Sequence, residues 1–167
     1  IVAPMHRLPL VSVVAVTDAG AAGDPAGREG LAALTAAALV EGTLDHDGPA
    51  LTDALERLGT SVESGADWDS ATVRLTVIPT HLEGALAFLA DVLASPRFSE
   101  TDIERLKAER LAELLHQRVE PRGLADERFS SVVYDAASRY ARAAGGTPTS
   151  VRALDTTSVR SWHVKHF

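Results

Sequence analysis

Six histidines, His6, His46, His81, His116, His163 and His166, are the side chains of this sequence best suited to hold a metal or pass a proton, and they are scattered. Only His163 and His166 stand close together, three residues apart on a stretch that reads as a helix. No Asp or Glu lies in that final stretch to share a metal with them, so the pair reads as surface residues. The chain has no cysteine, which excludes disulfides and thiolate metal sites. No Ser/His/Asp order, phosphate-cradling glycine loop or cluster of acids appears, so an enzyme with such chemistry finds no carrier here. The acids gather instead in residues 100–118, a helix with one solvated face. There Glu109 and Glu113 repel at i,i+4 and Arg105 relieves Glu109. On this basis Glu113 is a solvated carboxylate. Binding is the chemistry that Thr60 to Ala66 (TSVESGA) offers. Val62 is its only large apolar side chain, and Gly65 stands near its end. An edge strand with small side chains can take up an extended peptide through main-chain hydrogen bonds. It can equally be a plain edge blunted by polar residues.

Hydrophobic spacing sets the elements that must position these residues. Leu10 to Thr17 is β-branched and apolar, a strand covered on at least one face. A Gly/Ala/Asp/Pro loop, 18–30, leads to the stretch that organises the chain, Gly30 to Thr43 (GLAALTAAALVEGT). It predicts a short helix with a Leu31, Leu34, Leu39 stripe, kept thin by alanines. It has no His, Asp or Cys, and its one acid, Glu41, lies at the far end. After a turn over 41–48, Pro49 opens a second helix that buries Leu51, Ala54, Leu55 and Leu58 and ends at Gly59. The strand from Thr60 pairs through a turn at 67–70 with a strand at 71–78, where Val73, Leu75 and Val77 alternate with polar residues. Helices follow at 80–94 (Leu82, Ala85, Leu86, Leu89, Val92, Leu93 inward), 100–119 with Ser99 as cap (Ile103, Leu106, Leu111, Leu114, Leu115 inward), 122–134 (Leu124, Phe129, Val132 inward) and 157–166, capped by Thr156. A loop fills 141–150. Strands near the front and helices behind make an α+β pattern.

Composition narrows the function classes. Among 167 residues, 16 Lys and Arg against 23 Asp and Glu give a net charge of −7, which argues against a nucleic-acid binder. Hydrophobic residues make up 46%, too many for a disordered tail, and aromatics only 5%, so the core is built of Ala, Leu and Val. No apolar run approaches the roughly 18 residues of a membrane span. A soluble chain is expected, and a cytoplasmic one favoured. The opening Ile1-Val-Ala-Pro is neither an initiator Met nor a signal peptide. It reads as the end of a strand, so the expectation is one domain over 1–167, incomplete in a fragment or processed chain.

One family shares this order of pieces. Leu-Pro-Leu-Val-Ser-Val (8–13), Ala-Gly (19–20), Asp-Pro-x-Gly (24–27), Gly-Leu-Ala (30–32) and Glu-Gly-Thr (41–43) come first. Leu-Gly (58–59), Asp-x-Asp-Ser (67–70), Leu-Ala-Asp-Val-Leu-x-x-Pro-x-Phe (89–98) and Gly-Thr-Pro (146–148) follow. Together they resemble the pitrilysin/insulinase family of inverted-zinc-motif peptidases, over essentially the whole chain. The resemblance implies an antiparallel sheet backed by helices, a processing-peptidase-like half of a clamshell, with the later strands of the family domain absent.

Active members of that family carry His-x-x-Glu-His between Gly-Leu-Ala and Gly-Thr. Two His one turn apart bind zinc, and the Glu beside the second takes the proton of the zinc-bound water. By the resemblance, Ala33 and Ala37 stand at the two His positions and Ala36 at the Glu. Glu113 falls at about the spacing of the family's third ligand. One carboxylate and two methyl groups make no zinc site, so the resemblance implies no catalytic residue, no metal and no cofactor in this chain. It also sets Glu63, Ser64 and Gly65 at the positions of the strand that binds substrate in active members. The role implied is that of a non-catalytic domain or subunit, which pairs with a motif-bearing, zinc-holding half to enclose a peptide. The alternative is a structural subunit of the same fold with no peptide handling.

Overall fold

The computed structural model describes residues 1–4, 7–117 and 121–167, and of 122–124 and 126–127 the backbone alone. Strand β1, Val11–Thr17, alternates as its sequence demands: Val11, Val13 and Ala15 face the helices, and Ser12, Val14 and Val16 face water. It pairs antiparallel with β3, Ala71–Val77, so that Val14 lies opposite Arg74. On the other side of β3 lies β2, Val62–Ala66, also antiparallel, with Glu63 opposite Arg74 and Gly65 opposite Thr72. The order is thus β1-β3-β2. Ala71, Val73, Leu75 and Val77 are buried on the helix side, while Ser12 and Thr76 share a hydroxyl hydrogen bond of 2.8 Å on the other. The hairpin turns on Asp67, whose carboxylate accepts the backbone N–H groups of Ser70 and Asp69 at 2.7 and 2.9 Å. Those two bonds hold its pKa below the ordinary carboxylate value.

Helix α1, Leu31–Leu39, sits at the centre and touches the sheet and two later helices, α4, Glu100–Gln117, and α7, Thr156–His166. Seven of its nine residues are buried. Leucines at 31, 34 and 39 fill the spaces, and alanines let neighbours approach closely except on the Ala33 and Ala37 side. Helix α2, Gly48–Arg57, starts where Asp47 accepts the backbone N–H of Ala50, with Pro49 in its first turn. Leu51 and Leu55 are buried there, and Ala54 and Leu58 half-buried. A 3₁₀ turn, Pro79–His81, precedes α3, Leu82–Ala94. The bend from α3 to α4 places Phe98 at φ 45°, a strained value for a residue with a side chain. That ring is buried and set edge-on to His163. Arg160 donates to the Arg97 and Phe98 carbonyls and so fixes the bend. Ser99 starts α4 as its composition suggests, accepting the Asp102 N–H. Helix α5, Pro121–Val133, follows, and then the short α6, Pro148–Arg152.

Several sequence expectations need correction. Asp155, not Thr156, caps α7: its carboxylate accepts the Ser158 N–H at 2.7 Å, and the Ser158 hydroxyl accepts the N–H of Asp155 at 3.1 Å. Part of the loop expected at 141–150 is α6, nucleated by the same reciprocal arrangement between Thr147 and Ser150. Leu86, Leu115, Phe129 and Val132 are exposed rather than inward. On α3 the buried stripe runs through Ala85, Leu89 and Val92, one step off Leu86. Among the described residues α5 packs beside α4 and the 3₁₀ turn Arg139–Ala141, so its apolar residues have no third layer to enter. His163 and His166 are half-buried, not surface residues. Their ring nitrogens donate to the carbonyls of Leu93 and Asp18, both at 2.8 Å, tying α7 to the end of α3 and to the loop after β1. His6, the extension of α4 to Val119 and the burial of Leu124 lie outside the described residues.

Candidate functional site

The site begins at the N-terminus of α1. Its N-cap is Gly30, in the left-handed region at φ 95°, which glycine reaches without strain. Glycine has no side chain to cap the first N–H groups, and Asp24, from the preceding loop, supplies one. Its two oxygens accept Gly30 N–H at 2.7 Å and Ala32 N–H at 2.9 Å. Asp24 is buried, and that burial pushes its pKa up to about 6 against the pull of these N–H groups. Sequence rules look for a cap beside the helix, so a carboxylate six residues upstream escapes them.

With α1 fixed in this way, Ala33 and Ala37 present their methyl groups, one turn apart, to a cavity of about 350 Å³. Arg110 and Glu113 of α4 line its far side, Ala66 at the end of β2 borders it, and Gly145 of the loop before α6 covers part of it. Ala33, Ala37 and Glu113, named from the sequence, therefore meet at one place. Ala36 is fully buried and does not line the cavity.

The cavity's polar groups are already paired. Arg110 donates from Nη1 to Glu113 Oε2 at 2.9 Å and from Nε to the carbonyl of Gly145 at 2.9 Å. Its neighbour Glu109 accepts from Arg105 at 2.8 Å, and Arg105 also donates to Glu41. Those two acids raise the Arg105 pKa further above its already basic value. Methyl groups offer a metal no lone pair, and the one carboxylate of the trio already has a cation. Among the described residues no three His, Cys, Asp or Glu side chains group so that they could hold a metal ion. The residues of this cavity do not fit zinc.

Glu63, Ser64 and Gly65 are not part of the cavity, which β2 reaches only through Ala66. Glu63 and Arg74 form an exposed ion pair at 2.6 Å on the outer sheet face. That pair borders an open depression of about 680 Å³ with Ser12, Ser61 and Thr76. Gly65 is exposed, and nothing lies within 4 Å of where a side chain would start. The Ser64 hydroxyl is buried with no hydrogen-bond partner among the described residues. No strand of the described residues pairs with the outer edge of β2. Nothing in the sequence marks Arg110 as a cavity residue. Its pairing with Glu113 is legible there as an i,i+3 contact, but its bond to Gly145 is not.

Comparison with known proteins follows the same lines. The model of the insulinase family, peptidase family M16, matches residues 6–143. A non-peptidase homolog, YmxG, from Helicobacter pylori is 25% identical over 162 residues, 97% of this chain and 37% of its own. The crystal structure of a peptidase M16 inactive domain from Pseudomonas fluorescens aligns with TM-score 0.90 and 28% identity over 95% of this chain and 39% of that one. Pitrilysin shares the fold, with TM-score 0.77 and 23% identity over 94% of this chain and 17% of its own. The chain thus spans about two fifths or less of the length of each of these relatives. No helix of the described residues is long and apolar enough to cross a membrane.

Proposed function

This chain belongs to the insulinase family, peptidase family M16, and we propose that it acts there as a metal-free, non-catalytic half. It pairs with a half that carries His-x-x-Glu-His, and together they enclose an extended peptide. The convergence of Ala33, Ala37 and Glu113 on one cavity carries this reading. Those are the positions at which the family resemblance sets the two His ligands and the third, acidic one, and here they hold methyl groups and an exposed acid paired with Arg110. Relatives described as a non-peptidase homolog and as an inactive domain support it.

The peptide is taken up along β2. Its outer edge is unpaired among the described residues, Gly65 carries no side chain on the exposed sheet face, and Ala66 leads the strand to the cavity beside Ala33 and Ala37. A bound peptide gains main-chain hydrogen bonds there without meeting a water-activating group. Amide hydrogen exchange tests this, measured with the motif-bearing partner and an unstructured peptide. Slowed exchange at 62–66, with no peptide cleavage and no tight zinc in the chain alone, is the expected result. Unchanged exchange at those amides would favour a structural subunit with no peptide handling. Chelator-sensitive cleavage by the chain alone would overturn the proposal.

A further inference from the structure

The cavity beside α1 contains a fixed positive charge. Arg110 projects from α4 between Glu113 and the loop that precedes α6, donating to both at 2.9 Å. The loop passes close over it: a Cβ at Gly145 would overlap Arg110 Nη2 and lie 2.7 Å from Cζ. Any side chain at 145 would therefore force the guanidinium to shift. The same loop is fastened nearby, where Arg142 approaches Glu29 at 3.6 Å and the Ser150 hydroxyl donates to the Glu29 carbonyl at 2.8 Å.

We infer that Arg110 is the resident cation of this cavity, holding Glu113 and the 143–146 loop together in the place where a metal would otherwise bind. This rests on the reading of Ala33, Ala37 and Glu113 as the former ligand positions. A guanidinium is planar, always charged and has several donors. It can satisfy a carboxylate and a carbonyl at once, and needs neither histidine. Glu113, although 63% exposed, therefore keeps a cationic partner without the histidines, and Arg110 opposes a second cation in two ways. It occupies Glu113, and it repels a dication at short range.

Two measurements on the full chain test this. The first is zinc binding to Ala33→His/Ala37→His and to the same double variant with Arg110→Ala. The triple variant is expected to bind zinc roughly a hundredfold more tightly than the double. Equal, tight binding by both would overturn the role of Arg110 while leaving the ligand-position reading intact. No binding by either would instead sink that reading. The second measurement needs no metal: amide exchange of residues 143–146 in Arg110→Ala and in Gly145→Ala. Both variants are expected to speed exchange there at least tenfold, because Arg110→Ala removes the guanidinium from between helix and loop and Gly145→Ala displaces it. Unchanged exchange in both would overturn the inference whatever the zinc result. The conservative Arg110→Lys should restore charge without the planar fork, and so recover protection only in part.

Discussion

Helices α1 and α5 both carry apolar residues that helical spacing turns inward, yet they end in opposite environments. Residues of α1 are enclosed by β2, β3, α4 and α7, and Leu39 is completely buried. On α5, Phe129 is 66% and Val132 82% exposed. On α1 the leucine stripe is flanked by further apolar residues, so both its faces can be buried, and the reasons for the two outcomes differ. Apolar residues are spread round α1, which packs against β2, β3, α4 and α7, whereas α5 mixes its apolar residues with polar ones and, among the described residues, packs beside α4 and the 3₁₀ turn Arg139–Ala141. A nine-residue helix is marginal alone in water, so α1 is held by tertiary packing. The contrast teaches that burial is decided by what the topology brings alongside, not by how many apolar residues a helix carries. The largest expected effect tests the α1 side. Leu39→Ala should lower unfolding free energy by about 2–5 kcal/mol in urea titrations, since close-packed surroundings collapse only partly onto a lost side chain. A loss under about 1 kcal/mol would mean that α1 is loosely packed, and the comparison would break.

A smaller effect sharpens the comparison at the helix start. Asp24 caps α1 from a buried position, with its pKa raised from 3.8 to about 6. The folded state therefore binds its proton more tightly than the unfolded chain does. The stability this group contributes is fully present below pH 3.8 and is lost as the pH rises through about 6. After allowance for partial water access, the change is on the order of 1–2 kcal/mol. Asp24→Asn removes the titration, so the stability of the natural chain minus that of the variant should fall between pH 4 and pH 7. A difference that stays flat or rises, measured by denaturation at a series of pH values, would contradict the assigned burial.

Legibility in the sequence follows the range of the forces involved. Strands β1 and β3, the α1 stripe and the Pro49 start of α2 rest on local period and turn chemistry, and they stand where spacing predicts them. Family resemblance, not spacing, links the α1 alanines to Glu113, and the fold places Ala33, Ala37 and Glu113 around one cavity. What escaped depends on contacts distant in sequence. Asp24 caps from six residues away, Arg110 reaches a loop 35 residues downstream, and His163 and His166 bond carbonyls 70 and 148 residues upstream. The inward assignments of Leu115, Phe129 and Val132 failed for the complementary reason. Helical spacing identifies an apolar stripe, but it cannot supply the surface that would cover it.

The smallest effect tests the α5 side of the comparison. Phe129 and Val132 meet nearly as much water in the folded chain as in the unfolded one, so the transfer free energy of their side chains largely cancels. Replacing either by Ser changes intrinsic helix preference little, because Phe, Val and Ser rank close together. Phe129→Ser and Val132→Ser should therefore each shift unfolding free energy by no more than about 0.5 kcal/mol in the same urea titration used for Leu39→Ala. If either cost about 2 kcal/mol or more in the monomer, α5 would be packed as tightly as α1 and the contrast between the two helices would disappear.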